Sequence, residues 1–377
     1  MKIAFIHNYL TFYRVKLFNN LCKLFDIEYF FYKELGITSL EPKFKYNYMK
    51  GFKIPFVDPD YKWPLYLFFD LIAGRFDVFI GSGASQLETM ITFLVAKILN
   101  KPFILWNVQW FYNDSFLSKL RFPFFRYIVL QSNALIVPGS ASKKFHLQMG
   151  VKSDNIYISP NAIKIDLDEI DFGKLCSLKT ELNIMNDDFV VLCFSRISEE
   201  KGLEYLIDSY NYLESNEKIK YIISTTMDYE KIYFDHLNEI VSNINTDKIC
   251  IKRIKKSEKN LLFYLCDLFI LPSIFKKYKG PDIWGMVLNE ALSIGKPLIA
   301  TTMVGGSYDM IKQGRNGYIV PPKKPKKIAK AIMKIYKNPN IKAMNEISRI
   351  LYTNFFKIEN EIHGFVEALN KVEELSK

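Results

Sequence analysis

Short runs of apolar residues recur along the first part of the chain, and they alternate with longer segments in which apolar residues follow a helical period. A buried strand of a parallel sheet is apolar on both faces, whereas a covering helix is apolar on one face only. The alternation therefore predicts a parallel sheet with helices on both sides. Strands are predicted at 2–7, 77–80, 102–106 and 134–138, and helices at 13–25 and 86–99.

The same alternation begins again in the second half of the chain. Strands are predicted at 189–194, 221–224, 249–251, 268–271 and 297–300. Between the two halves, at 165–185, charged residues accumulate and the apolar period weakens. We therefore expect an α/β protein with two Rossmann-like, doubly wound domains, at 1–170 and 171–355. A C-terminal helical segment at 356–377 has an amphipathic pattern that suits packing back on the first domain.

The net charge and the cysteine content indicate which partners and which cellular compartment to expect. With 51 Lys and Arg against 40 Asp and Glu, the chain carries a formal net charge of +11. This charge favours anionic partners such as nucleotides, nucleic acids or acidic lipids, without choosing among them. The five cysteines are scattered, which predicts reduced thiols and a cytoplasmic location. The N-terminus is typical of a strand rather than a signal peptide, and no apolar run is long enough to predict a membrane span.

Several glycines in the second half of the chain lie at positions that suit a phosphate-binding site. Gly285 precedes a helical run, and Gly295 is expected to end that helix in the left-handed conformation, with Pro297 preventing its continuation. Gly305 and Gly306 follow the next strand and precede another helix. Backbone N–H groups at such a turn can bind a diphosphate, because no side chain blocks its approach.

The segment from Asp282 to Glu290 resembles the E-x7-E signature of glycosyltransferase family 4, the group 1 type of retaining GT-B glycosyltransferases. Asp282 stands where the family usually has Glu, so this chain has D-x7-E. The resemblance is good over about 156–320 and loose elsewhere. It implies the GT-B fold, in which two Rossmann-like domains face a central cleft and bind the acceptor and the nucleotide sugar, respectively.

The resemblance implies a donor site in the second domain. In the family, the first acid and the backbone after it hold the donor sugar, and the second acid bonds the ribose hydroxyls. A carboxylate suits the second role because it can accept hydrogen bonds from two neighbouring hydroxyls. The sugar is thereby assigned to Asp282, Ile283, Trp284 and Gly285, and the ribose to Glu290.

A second block, from Ser195 to Gly202, resembles the family pattern of a strand followed by G-R-x4-K-G. Arg196 and Lys201 match the cations that bind the donor diphosphate, and Ser195 stands where Gly is usual. Fixed cations lower the barrier because negative charge grows on the leaving phosphate as the glycosidic bond breaks. The resemblance thus implies Asp282, Arg196 and Lys201 as catalytic residues, with Ser195 and the Gly305–Gly306 turn among the donor contacts.

The first domain offers weaker candidates, for the acceptor side of the site. They are His7, Tyr13, Arg14 and Asn107, which lie at or after predicted strands. A structural role at a strand end is the main alternative for His7. A third match, around Asn161, resembles the P-N-G-V-D element that closes the first domain, where Asn161 is expected to fix a turn.

Two further patterns bear on metals and membranes. The D-x-D triplet of Asp58 and Asp60 lies in a Pro-rich, loop-like setting, so we interpret it as chance and predict no metal site and no cofactor. Basic and aromatic residues interleave at 61–66 and 119–126. Such stretches suit the interface of an anionic bilayer, although a core helix with a charged face explains them as well.

These features lead to one functional hypothesis and its alternatives. The resemblance implies a metal-independent, retaining transfer of a hexosyl group from a UDP or GDP sugar to a saccharide or a lipid-linked saccharide. The expected setting is bacterial surface polysaccharide synthesis at the inner face of the cell membrane. The alternatives are a nucleotide-sugar epimerase of the same fold and a non-catalytic nucleotide-sugar-binding protein. Nucleic-acid binding is not expected, because no recognisable reader motif is present.

Overall fold

The computed structural model describes residues 1–34, 41–53, 62–112, 115–167, 170–214, 218–276 and 280–375. The D-x-D triplet and Tyr61 of the first basic aromatic stretch lie outside the described residues. The chain divides into two compact units, Met1–Asn161 together with Ile358–Lys377, and Ala162–Lys357. The boundary after Asn161 thus precedes the expected one at 170, and the C-terminal segment is part of the first unit.

The first unit is built on a parallel sheet. Its elements are β1 (Lys2–Leu10), α1 (Phe12–Leu24), β2 (Asp26–Glu34), β3 (Lys45–Tyr48), β4 (Phe52–Lys53), β5 (Lys62–Trp63), α2 (Leu65–Ala73), β6 (Val78–Ser82), α3 (Leu87–Ile98), β7 (Phe103–Trp106), α4 (Phe116–Gln131), β8 (Ala134–Val137), α5 (Ser140–Gln148) and β9 (Ile156–Ile158). Within the described residues, the sheet order is β3-β2-β1-β6-β7-β8-β9 with parallel pairing, and β4 pairs with β5 in a separate antiparallel ribbon. The order changes direction between β1 and β6, which makes the sheet doubly wound.

The second unit repeats this architecture. Its elements are α6 (Phe172–Glu181), β10 (Phe189–Phe194), α7 (Leu203–Ser209), β11 (Ile219–Thr225), α8 (Lys231–Ile244), β12 (Ile249–Arg253), α9 (Lys259–Leu265), β13 (Leu268–Leu271), α10 (Met286–Ser293), β14 (Leu298–Thr301), α11 (Ser307–Met310), β15 (Gly317–Val320), α12 (Pro325–Tyr336) and α13 (Ile341–Phe355). Its described strands form a parallel sheet in the order β12-β11-β10-β13-β14-β15, with the switch of direction between β10 and β13. The chain therefore contains the two doubly wound sheets that the sequence predicts.

The central strands show why these segments form parallel sheets. Along β1, Ile3 and Phe5 pack into one apolar cluster, whereas Ala4 and Ile6 pack into another on the opposite face. All four side chains are fully buried. A strand that is apolar on both faces is stable only when helices cover both faces of its sheet and keep its side chains from water.

The last helix, α14 (Ile358–Leu375), completes the first unit. Its Phe365 ring lies 5.7 Å from the Phe5 ring and 5.1 Å from the Trp106 ring, between ring centroids. At Gly364 the helix approaches β9 so closely that a Cβ atom would lie 2.3 Å from the carbonyl oxygen of Ile158. The absence of a side chain at Gly364 therefore permits the helix to pack on the sheet.

Gly364→Ala is expected to lower the free energy of unfolding by about 1–3 kcal/mol, because the added Cβ must push the helix away from β9. In an ordinary helix the same change is stabilising by up to about 1 kcal/mol. Gly173→Ala in α6 is the matched control, since its Cβ would approach only the Asp171 side chain, at 3.3 Å. Urea unfolding of both variants measures the difference. Equal stability of Gly364→Ala and the wild type would contradict this packing.

Candidate functional site

The switch point of the second sheet lies between β10 and β13, where loops at the carboxyl ends of the strands commonly form ligand sites. The loop after β10 ends in a single turn of 3-10 helix, Glu199–Lys201, and then at Gly202 with a φ of 63°. A Cβ atom at Gly202 would lie 2.4 Å from the carbonyl oxygen of Pro272, which follows β13. Glycine at this position thus lets the loop after β10 lie directly against the end of β13.

This packing brings together two residues that the sequence analysis assigned to the site, Lys201 and Asp282. The Lys201 Nζ atom lies 2.5 Å from the Asp282 Oδ2 atom, and the side chains are only 14% and 15% exposed, respectively. The Ser273 hydroxyl donates a second hydrogen bond to Asp282 Oδ2, at 3.3 Å. The ammonium and the carboxylate therefore neutralise each other at the switch point.

Arg196, the second predicted cation, lies in the same loop. Its guanidinium is 3.2 Å from Glu200 Oε1, and its side chain is 56% exposed. Its partner Glu200 is buried, with 8% of its surface exposed. The ion pair thus holds the guanidinium beside this loop, while the exposed part of the Arg196 side chain remains accessible to an incoming anion.

The predicted glycine turn has a different role from the expected one. The N–H groups of Gly305 and Gly306 donate to the carbonyl oxygens of Asp282 (2.9 Å) and Trp284 (3.1 Å). A Cβ atom on Gly306 would lie 2.3 Å from the Trp284 oxygen. Both N–H groups are thus used within the protein, and the prediction that they bind a diphosphate is corrected: the turn instead holds the segment that carries Asp282.

The residues after Asp282 differ in what they can offer to a ligand. Ile283 is 43% exposed, whereas the Trp284 side chain is buried and its Nε1 atom donates to Asn289 Oδ1 at 2.9 Å. The Trp284 indole therefore belongs to the core, and only its backbone remains a candidate for a sugar contact. Gly285 has a φ of 77° and immediately precedes α10, as its position in the sequence predicts.

Glu290, the predicted ribose ligand, is buried in α10 with 3% of its surface exposed. Its Oε1 atom pairs with Lys259 Nζ at 2.5 Å, and its Oε2 atom has no hydrogen-bond partner among the described residues. Burial raises the pKa of the Glu290 carboxyl, and Lys259 opposes that shift. A buried polar atom without a partner is costly, so Oε2 suits a hydroxyl supplied by a ligand.

Lys259 is a candidate site residue that the sequence did not reveal. Its Nζ atom lies 5.3 Å from the centre of the Phe194 ring and 5.8 Å from that of Phe263. Phe194 ends β10, directly before Ser195 and Arg196, so Lys259 and Glu290 lie near the loop that carries the diphosphate candidates. Nothing in the sequence around Lys259 distinguishes it from the many other lysines, because its role depends on a partner in another element.

In the first unit, His7 lies beside Ser82, at the end of β6. The His7 Nδ1 atom is 2.5 Å from the Ser82 hydroxyl oxygen, and the imidazole stacks on Trp106 with 5.0 Å between ring centroids. Burial, and secondly the charge of Arg14, lower the pKa of His7 to about 3. His7 is therefore a neutral, half-buried hydrogen-bonding group at neutral pH.

Arg14 is not placed as an acceptor-side residue, and that prediction is corrected. Its guanidinium pairs with Glu361 of α14, donates to Asn161 Oδ1 at 2.6 Å and lies 4.4 Å from the Trp106 ring centroid. Only 6% of Arg14 is exposed, because these contacts enclose it. Its ion pair with Glu361 holds α14 against the rest of the unit.

Tyr13, another of the predicted acceptor-side residues, is half-buried, and its ring lies 5.2 Å from the guanidinium carbon of Arg14.

Asn107 follows β7 and is fully buried. The His146 Nδ1 atom lies 2.8 Å from the Ser142 carbonyl, which can only accept, so the proton of the neutral imidazole is on Nδ1. Nε2 then accepts from the Asn107 Nδ2 atom, at 3.0 Å. Burial lowers the pKa of His146 to about 4. The imidazole is therefore neutral at neutral pH, and both of these hydrogen bonds are retained. Asn107 Oδ1 has no hydrogen-bond partner among the described residues.

Among the described residues, no three His, Cys, Asp or Glu side chains lie close enough together to form a metal site. No helix in the described part of the chain combines the length and the apolar character that a membrane span needs.

The second unit is similar to a known protein family. Residues 177–354 match the family described as glycosyl transferases group 1. The match spans 178 of the 377 residues, just under half of the chain, and lies within the second unit. The predicted resemblance to group 1 glycosyltransferases is thereby confirmed for this part of the chain.

Two curated relatives are similar over just under half of the chain. An uncharacterized glycosyltransferase of Methanocaldococcus jannaschii is 23% identical over 176 residues, which make up 46% of this chain and 42% of the relative. The capsular polysaccharide biosynthesis glycosyltransferase CapM of Staphylococcus aureus is 26% identical over 185 residues, or 49% of this chain and 46% of the relative. The chain thus spans less than half the length of these two relatives.

The fold is similar to that of solved structures over nearly the whole chain. The Anabaena protein HepE, solved in complex with UDP, superposes with a TM-score of 0.75 at 16% identity, covering 98% of this chain and all of HepE. With the two doubly wound sheets described above, this similarity confirms the predicted GT-B fold class.

Proposed function

We propose that the protein is a glycosyltransferase whose donor is a nucleotide sugar of the UDP or GDP type. The observation that carries the proposal is the buried Glu290 carboxylate: Lys259 pairs with one of its oxygens, and the other has no partner in the described part of the chain. Such an acceptor suits the vicinal hydroxyls of a ribose. The HepE complex with UDP and the match to group 1 glycosyl transferases support the same assignment.

In this proposal, the cations of the loop after β10 receive the diphosphate. Arg196 is 56% exposed and pairs with Glu200, and Lys201 lies at the switch point. As the bond to the sugar breaks, negative charge grows on the leaving phosphate and both cations stabilise it. In this proposal the incoming diphosphate replaces Asp282 as the partner of Lys201, and the Asp282 carboxylate accepts hydrogen bonds from hydroxyls of the donor sugar.

The finer chemistry of the proposal follows the family 4 resemblance. The transferred group is a hexosyl residue, the anomeric configuration is retained, and neither a metal nor a cofactor takes part. The acceptor hydroxyl attacks on the face from which the nucleotide leaves, and a donor phosphate oxygen helps to remove its proton. No protein nucleophile is assigned, because the acceptor hydroxyl itself attacks the sugar in this reaction.

The acceptor is proposed to be a saccharide or a lipid-linked saccharide, used in bacterial surface polysaccharide synthesis at the inner face of the cell membrane. Within the first unit, His7, Tyr13 and Asn107 are the candidates that remain for acceptor hydroxyls. The names of CapM and of a lipopolysaccharide 1,2-N-acetylglucosaminetransferase of Salmonella typhimurium support this setting.

A turnover assay tests the proposal against its alternatives. The protein is incubated with UDP and GDP sugars in EDTA, with and without a bacterial lipid extract, and the released nucleotide and the sugar products are measured. Nucleoside diphosphate release that requires the extract supports a transferase. Conversion of the nucleotide sugar without an acceptor would instead support an epimerase. Donor binding without any turnover would support a sensor, in which the Asp282–Lys201 pair keeps the site inactive.

A further inference from the structure

Helix α4 in the first unit exposes a stripe of large apolar side chains. Phe116 is 80% exposed, Leu120 70%, Phe124 48% and Tyr127 52%. At about 100° per residue these positions fall within an arc of ~80°. The opposite side of the helix is anchored in the core, where Phe125 and other residues are buried. The stripe therefore faces away from the protein along most of the helix.

Two neighbouring helices extend this apolar surface. On α2, Tyr66 and Phe69 are 57% and 67% exposed, and on α3, Leu94 and Ile98 are 52% and 58% exposed. Helix α2 packs against α3, and the Phe93 ring of α3 lies 5.9 Å from the Tyr127 ring of α4. The buried sides of all three helices share one apolar cluster on the same face of the sheet. Their outer sides thus form one surface, termed here the α2–α4 surface.

Most of the exposed charged side chains on the α2–α4 surface are positive. The three helices carry four exposed cations, Lys97, Lys119, Arg121 and Arg126, and one exposed carboxylate, Asp70; Glu88 is buried. Lys119 and Arg126 lie on one side of the apolar stripe of α4, and Arg121 lies on the other. An anionic partner with an apolar interior matches this arrangement.

We propose that the α2–α4 surface docks on an anionic lipid bilayer, with its aromatic and aliphatic side chains in the interfacial region and its cations on the lipid head groups. Soluble proteins rarely expose connected apolar surface of this extent without a binding role. The arrangement of apolar side chains between flanking cations is that of helices that lie in the plane of a membrane interface. The proposal locates the membrane contact of the proposed function and does not depend on the transfer reaction.

A vesicle flotation assay with the purified full chain tests the proposal. Vesicles of phosphatidylcholine alone are compared with vesicles that also contain phosphatidylglycerol. We expect binding to the anionic vesicles, and about tenfold or greater loss of bound protein in the triple variant Phe116→Ser/Leu120→Ser/Phe124→Ser. Ile232→Ser on α8 of the second unit is the matched apolar control, since Ile232 is 87% exposed, and it should bind like the wild type.

A charge-reversal pair tests the electrostatic contribution. Lys119→Glu/Arg121→Glu should weaken binding to anionic vesicles, as should high salt. Lys327→Glu/Lys330→Glu, which makes the same change on exposed residues of α12, should not. Urea unfolding of each variant shows whether the fold is retained.

Several outcomes would overturn the membrane proposal. One is wild-type protein that remains unbound to anionic vesicles; another is a triple variant that binds as well as the wild type. A dimer that the triple variant abolishes in sedimentation would show that a second copy covers the surface instead. Stabilisation by a nucleoside diphosphate reports on the second unit, so it distinguishes failure of this proposal from failure of the donor assignment.

Discussion

Lys201→Ala should lower the rate of sugar transfer about 10²–10³-fold, the usual cost of removing one group that stabilises charge in the transition state. Lys201 lies at the switch point of the second sheet and is 14% exposed, so its ammonium is largely shielded from water. The attraction between its charge and the leaving phosphate is stronger there than it would be in bulk water. Its ion pair with Asp282 shows that this position accommodates an anionic oxygen. Initial rates at saturating donor measure the effect.

The controls for Lys201 separate charge stabilisation from simple binding. Lys330→Ala removes an exposed lysine of α12 and should leave the rate unchanged. Asp282→Asn removes the competing carboxylate, so transfer should fall while the affinity for the nucleoside diphosphate holds or improves. If Lys201→Ala and Arg196→Ala both turn over at nearly the wild-type rate, the diphosphate assignment is wrong.

Glu290→Gln is expected to weaken donor binding about 10–100-fold, because hydrogen bonds to a charged group contribute about 1.5–3 kcal/mol. The amide keeps the size of the side chain but loses the charge, and it leaves the Lys259 ammonium without its carboxylate. Lys259→Met should also weaken binding, since the buried carboxyl then loses the cation that keeps its pKa from rising further. Because the ionised form binds, the affinity of Lys259→Met should improve as the pH rises.

Isothermal titration with paired ligands makes the Glu290 assignment specific. The wild type should bind a nucleoside diphosphate more tightly than its 2′,3′-dideoxy analogue, which lacks both ribose hydroxyls. Glu290→Gln should bind the two ligands almost equally, and it should bind the dideoxy analogue about as well as the wild type does. Undiminished preference for the ribose in Glu290→Gln would refute the role of this carboxylate.

The two sheets were predictable because their central strands are buried on both faces. Runs such as Phe189–Phe194 are apolar throughout and are followed by turns, so their period and bounds are evident in the sequence. Strand β2 was missed, because α1 passes into it at Phe25 without a Gly, Pro or Asn to mark the change. The bounds of the two units also depend on tertiary contacts, since α14 joins the first unit after a whole domain intervenes.

At the site, residues fixed by local backbone geometry were predicted better than residues defined by distant partners. Gly285 and Gly295 have positive φ, as the helix ends they flank require. The amides of Gly305 and Gly306 were misjudged because their acceptors lie more than twenty positions earlier. Arg14 was misjudged because its partner Glu361 lies at the other end of the chain.

A thermal-shift screen of the purified protein in EDTA, against UDP, GDP, ADP and CMP and their sugar conjugates, tests the central claim most directly. A ligand that binds only the folded state adds about 2.7 kcal/mol of stability at 100 times its Kd. The donor assignment predicts that the UDP or the GDP series raises the melting temperature and that Glu290→Gln abolishes most of this shift. No shift of the wild type with any of these nucleotides would contradict a nucleotide-sugar site in the second unit.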